Sequence, residues 1–110
     1  MAAKYLEQKG YTVIDKGYRS RFGEIDLIAE NGKYIVFAEV KLRRDRAFAN
    51  AREFVDGRKQ KRIITTARIW LSEHDTDLQP RFDVIEIYAS DDMRLTSVEH
   101  IESAFEVTEE

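Results

Sequence analysis

Residues 24–41 constrain this chain more tightly than any other stretch of it. Glu24 to Glu30 alternates, with Ile25, Leu27 and Ala29 on one face and Glu24, Asp26 and Ile28 on the other. Asn31-Gly32 follows, the strongest short-range hairpin signal a sequence can carry. Tyr34 to Lys41 (YIVFAEVK) is then so apolar that it belongs in the middle of a sheet. Side chains at i and i+2 share one face of a strand, so Glu39 goes with Lys41 and Glu24 with Asp26. A two-residue Asn31-Gly32 loop sets residue 30 opposite 33, 28 opposite 35, 26 opposite 37 and 24 opposite 39. Glu24, Asp26, Glu39 and Lys41 then project from one face, with Glu39 across from Glu24 and diagonal to Asp26 at about 7–8 Å. A slip of one residue would send the two sets to opposite faces.

Carboxylates placed inside so apolar a hairpin are costly unless something compensates them, and facing like charges add to the cost. A bound cation, Lys41, or both can supply the compensation. Hard oxygen donors without thiolates favour Mg²⁺, with Mn²⁺ as a substitute, over zinc. Such a cation, with Asp26 and Glu39 as its ligands, can polarise a phosphate oxygen and acidify a water. Lys41 would act as a point charge on that phosphate or help orient and deprotonate the water. Glu-x-Lys alone is an ordinary strand-end pattern; the preceding hairpin and same-face aspartate are what make it specific.

The chain has 110 residues and a net charge of −3, with no cysteine, so disulfides, thiolate metal sites and a cysteine nucleophile are excluded. That absence fits a reducing, cytoplasmic compartment. No apolar run approaches the roughly 20 residues a membrane span needs, and the start reads as an amphipathic helix, not a secretion signal. The charge is sorted along the chain. Residues 1–40 are neutral, residues 41–72 hold ten basic and three acidic side chains, and residues 73–110 hold two basic and twelve acidic ones. A segregated basic block is the footprint of a polyanion binder, although two solvated faces that partly neutralise each other would give the same count. Arg19 and Arg21 before the site strand, Arg43 and Arg44 after Lys41, and Arg58, Lys59 and Arg62 further on are the candidate phosphate contacts.

The remaining pattern predicts one domain over 1–110, its acidic tail 106–110 flexible. A helix over 2–9 stops at Gly10, and a strand runs from Tyr11 to Tyr18. A loop covers 43–50, and Ala51 to Asp56 makes a short helical turn. The best helix is Arg58 to Ser72, with Ile63, Ala67, Trp70 and Leu71 on its core stripe. Arg81 to Tyr88 forms a further strand, Asp91-Asp92 a turn, Arg94 to Val98 an edge strand and His100 to Phe105 a short final helix. Asp83, inside an apolar strand, holds a salt bridge or supports the site from behind. His74 and His100 lack ligand spacing and read as surface residues. Tyr18 and Phe22 can stack on bases, with core or rim packing weighed above that role. The order α-β-β-β-α-β implies an α/β fold, a mixed sheet flanked by helices.

An aspartate followed across a hairpin by Glu-x-Lys resembles the PD-(D/E)XK nuclease superfamily. More closely, Arg21-Phe-Gly-Glu-Ile-Asp-Leu-Ile-Ala, Phe37-Ala-Glu-Val-Lys, Arg58-Lys-Gln and Arg81-Phe-Asp-Val resemble the YraN-like family of uncharacterised bacterial proteins. The likeness runs from Ala3 to about Phe105. It implies a restriction-endonuclease-like, resolvase-like core and a metal-dependent endonuclease-like hydrolase acting on DNA, branched or otherwise structured. It matches Asp26 and Glu39 to the metal ligands, Lys41 to the catalytic lysine and Gln60 to the helix glutamine that assists the site in some members; a homodimer follows by analogy only. Two positions depart from the pattern. Ile25 stands where the superfamily has a proline, and the Gly-Glu pair that precedes the segment matching Ala2 to Leu6 is not present ahead of Met1. Glu7 does not align with that glutamate. The second departure supports an alternative, a catalytically inactive nucleic-acid-binding module that keeps the nuclease fold.

Overall fold

The computed structural model describes residues 1–43, 56–89 and 95–107. The expected loop after Arg43, the Ala51–Asp56 turn save for Asp56, the Asp91-Asp92 turn and Arg44 lie outside them. The elements run α1 (Ala2–Gln8), β1 (Thr12–Ser20), β2 (Gly23–Glu30), β3 (Tyr34–Arg43), α2 (Gly57–Glu73), β4 (Gln79–Ala89) and β5 (Leu95–Phe105). The strands form one sheet in sequence order, β1-β2-β3-β4-β5. Only β3 and β4 are parallel; the other neighbours are antiparallel. That join is where the chain needs a crossover, and α2 supplies it. The result is an α/β domain with a five-stranded mixed sheet and two helices, compatible with a restriction-endonuclease-like core.

Each face of the sheet has its own core. On the α2 side, Ile28, Ile35, Phe37, Phe82 and Val84 pack against Ile63, Ala67 and Trp70. On the α1 side, Leu27, Ala29, Val36, Ala38, Ile85 and Ile87 pack against Ala2 and Leu6. β3 is covered on both sides, which explains its unbroken apolar run. Ile25 lies in the α2-side cluster with Ile28, not with Leu27 and Ala29 as alternation predicts. The alternation breaks around Asp26, where β2 parts from β3 after the Leu27–Ala38 pair.

The hairpin register also differs from the two-residue expectation. Glu30 pairs with Ile35 and Leu27 with Ala38. The Asn31 side-chain oxygen accepts the N–H groups of Lys33 and Tyr34, at 3.0 and 2.8 Å, and Gly32 takes φ +90°. Asn31 thus caps the turn from its first position instead of forming its centre. The register moves by two residues, so position 26, not 24, comes opposite 39 on continuation. The shift is even, so Glu39 and Lys41 keep their face, but the break at Asp26 ends the regular parity of β2, and it is the pocket that brings Asp26 and Glu39 together.

The expected final helix over His100–Phe105 is the second half of β5. Ile101, Ala104 and Phe105 have helical spacing, and all three do reach the α2-side core. A bulge brings them there: pairing jumps from Val84–Ile101 to Phe82–Phe105, and Ser103 adopts φ +50°. The separate edge strand and final helix are therefore one strand.

Candidate active site

Position 26 sits where β2 leaves the ladder, and its side chain replaces the missing main-chain bond. Asp26 Oδ2 accepts the Val40 N–H at 2.8 Å. Glu39, one residue earlier on β3, is buried on the α2 side of the sheet. The two carboxylates line one open pocket of about 570 Å³ with Gly23, Glu24 and the first turns of α2. A second groove of about 600 Å³, near Phe82 and Phe105, holds no acidic pair. Chemistry, not size, marks the first as the site.

The helix reaches the pocket because Asp56 caps it, accepting the Lys59 N–H at 2.9 Å. That capping bond is the main reason the Asp56 carboxyl is held below its ordinary range. The first turns then present Arg58, Lys59, Arg62 and Ile63 to the acids. Lys59 Nζ meets Glu39 Oε1 at 2.5 Å. The bond to Glu39 holds the ammonium above its ordinary value against the opposing effect of burial, with further pull from Asp26 and Asp56. Lys59, expected to contact DNA, is thus the counter-charge of the acidic pair. Gln60, its neighbour, is not among the residues lining the pocket; its N–H bonds Asp56 O at 2.9 Å.

The other expected residues divide. Glu24 lines the pocket and pairs with Arg19 at 3.3 Å on the surface. Lys41 follows Glu39 on the same face of β3, just outside the lining, and pairs in register with Glu86 of β4. Arg21 lies over the Phe22 ring, 5.0 Å from its centre. Arg43 Nε donates to Glu86 Oε2 at 3.3 Å. Among the described residues of the basic set, Arg58, Lys59 and Arg62 line the pocket.

The donor set accommodates a hard divalent cation in the manner of Mg²⁺, which takes one or two carboxylates and completes its shell with water and substrate phosphate. Among the described residues no group of three or more His, Cys, Asp or Glu side chains could hold a metal. Among the described residues Asp26 and Glu39 would be the ligands, and Lys59 would have to yield its place on Glu39.

Two acids on β4 take roles their sequence context hid. Glu86, 2% exposed, lies on the site face beside Lys41, where the apolar run around it gave the one signal available. Asp83, 1% exposed, lies on the α1 side instead. It accepts from Arg81 Nε and Nη2 at 2.9 and 2.7 Å and from Ser103 N at 3.0 Å, and bonds His100 Nε2 at 2.6 Å. Burial alone would push its carboxyl up; the bonds from His100, Arg81 and Ser103 outweigh it and hold the group low. His100 is accordingly buried, not a surface residue, with Tyr5 edge-on at 5.6 Å. The Asp83 salt bridge is as expected from the sequence, but it braces the far side of the sheet.

The sequence model of the uncharacterised protein family UPF0102 matches residues 1–87. A UPF0102 protein of Caldanaerobacter subterraneus subsp. tengcongensis is 42% identical over 107 residues, covering 96% of this chain and 88% of the relative. One from Vibrio parahaemolyticus is 42% identical over 92 residues, covering 82% and 76%. One from Nitrosomonas europaea is 40% identical over 105 residues, covering 96% and 86%. Among the described residues no helix is long and apolar enough to cross a membrane.

Proposed function

The chain belongs to the UPF0102 family, the YraN family its motifs resemble, and from its acidic pocket we propose a divalent-metal-dependent endonuclease-like protein acting on DNA. The observation that carries this reading is the convergence of Asp26 and Glu39 from adjacent strands against the basic first turns of α2. Carboxylates meeting arginines and lysines in one open pocket suit a phosphate and a cation together.

In this reading Asp26 and Glu39 would hold Mg²⁺ or Mn²⁺, which would supply charge neutralisation at the phosphate and lower the pKa of a water. The Val40 N–H fixes the Asp26 carboxylate, so its free oxygen keeps one direction. Arg58 and Arg62 draw the DNA backbone to the pocket mouth. Lys59, released from Glu39, moves its ammonium onto a phosphate oxygen. Lys41 orients the attacking water from the same strand face as Glu39. The water gives up a proton to solvent as its oxygen bonds phosphorus, the bond to the leaving sugar oxygen breaks, and that oxygen takes up a proton from solvent.

The deciding experiment offers duplex, single-stranded and four-way-junction DNA to the chain with Mg²⁺ or Mn²⁺. Cutting that is abolished in Asp26→Ala, Glu39→Ala and Lys41→Ala, each still folded by circular dichroism, supports the reading. Failure to cut any of the three substrates sinks it.

The Lys59–Glu39 contact favours a second reading, a DNA-binding module that no longer cuts. An acid already neutralised from within its own fold has less call on a cation. DNA binding that weakens steeply with salt yet ignores both metal and Asp26→Ala distinguishes this from a nuclease.

A further inference from the structure

Beside the acidic pocket the β1–β2 hairpin turns on two residues, Arg21 and Phe22, between paired Ser20 and Gly23. Phe22 is 44% exposed, a large apolar ring left in solvent at the tip of a turn. The turn is fixed from below. Ser20 Oγ bonds Thr66 Oγ1 of α2 at 2.8 Å and also accepts the Phe22 N–H at 3.1 Å. Gly23 lies so close to α2 that a Cβ there would come within 3.3 Å of Arg62 Cβ. Arg21 covers the ring at 5.0 Å. The next two residues, Gly23 and Glu24, already line the acidic pocket.

Resting on the nuclease-like reading, we propose that Phe22 is a stacking platform for an unpaired base of the DNA substrate, next to the phosphate held at the acids. Every base has a π-face, so an aromatic ring accepts it without sequence preference, and a fully paired duplex offers no such face. The Arg21 guanidinium sits as a cation over the ring and would be available to a neighbouring phosphate of the strand. Pinning the turn to α2 before binding removes the ordering cost that a mobile loop would bear. The substrate class is therefore DNA with an unpaired nucleotide at a branch, fork or flap, not continuous duplex.

The test uses the full chain in EDTA, so that binding is read without cutting. A forked DNA and a blunt duplex of the same length are compared by fluorescence anisotropy. Phe22→Ala and Phe22→Leu should weaken fork binding about fivefold to a hundredfold and leave duplex binding within about twofold, while Phe22→Trp keeps fork binding. 5-Iodouracil at the first unpaired position should photocrosslink to residue 22 in the wild type. Equal fork and duplex affinity in the wild type, or an unchanged fork affinity in Phe22→Ala, overturns the proposal. In that case the cutting assay still stands or falls separately, because it needs the acids and not the ring. A wild-type chain that binds neither DNA overturns the proposal, while the nuclease-like reading is decided by the cutting assay with metal.

Discussion

Asp26 on β2 holds the main chain of Val40 on β3, its carboxylate oxygen 2.8 Å from the amide nitrogen, at the point where the ladder between the two strands has already ended. The side chain thus closes the hairpin and supplies an acid to the pocket. Asn and Ala should separate these tasks. Asp26→Asn keeps an acceptor for Val40 and should unfold in urea near the wild-type midpoint. Asp26→Ala leaves that amide unpaired and should cost about 1–2 kcal/mol. Both should lose Mn²⁺ binding alike.

Lys59 and an added cation compete for Glu39. Lys59→Met removes the competitor and its repulsion, and should tighten Mn²⁺ binding about threefold to tenfold by electron paramagnetic resonance titration. DNA affinity should fall in the same variant. Unchanged Mn²⁺ affinity would show that the ammonium and the cation do not share the carboxylate.

Arg58 and Arg62 line the pocket beside Lys59 and act electrostatically on Asp56. Each, changed to Ala, should weaken binding evenly across DNA sequences and lower the salt slope by about one. The same change at Arg43, bonded to Glu86, should act on stability first.

Asp83 couples stability to acid. Its carboxyl titrates below the unfolded value of about 3.9, so its contribution is complete above about pH 4 and is lost as the pH falls through the folded value. Asp83→Ala leaves the buried Arg81 guanidinium only the exposed Glu102 carboxylate at 3.2 Å and the Tyr11 hydroxyl at 2.6 Å among the described residues, and should cost about 3 kcal/mol at neutral pH. Asp83→Asn should flatten the acid limb of the stability profile, measured by urea unfolding between pH 3 and 7.

Ser103 holds φ +50° to turn its N–H onto Asp83 Oδ1. Ser103→Gly should be neutral or stabilising by up to about 1 kcal/mol, since the relieved backbone is offset by a freer unfolded chain. Ser103→Val should cost about 1–2 kcal/mol, because a β-branched side chain resists that conformation.

The sheet was legible where apolar period and turn chemistry agreed, as from Glu24 to Lys41. Asp26 and Glu39 come together in both readings, although in the structure the alternation of β2 breaks at Asp26 and does not itself deliver them. What misled was Asn31, whose side chain caps the turn from outside the two central positions and lengthens the loop. His100 to Phe105 misled for another reason. Helical spacing and a bulged strand can deliver the same side chains to the same core, and no local signal marks Ser103 as left-handed. Lys59 was visible as a charge but not as a partner, since no local pattern says which helix turn will dock above which strand. Asp83 stood out in Arg81–Tyr88 and Glu86 did not, and the parity of β4 sends the two to opposite sides.

The strand order follows the chain, and its one parallel join runs through α2. On the ribosome, the β1–β2–β3 meander emerges first and can pair by short-range turns alone. Asp26 and Glu39 then lie side by side with no ammonium between them until α2 has been made and has swung back across the sheet. The acidic pair is therefore repulsive in the nascent chain and neutralised only on docking. That gives the last long-range closure an electrostatic pull of its own, and makes a finished pocket a property of the finished protein.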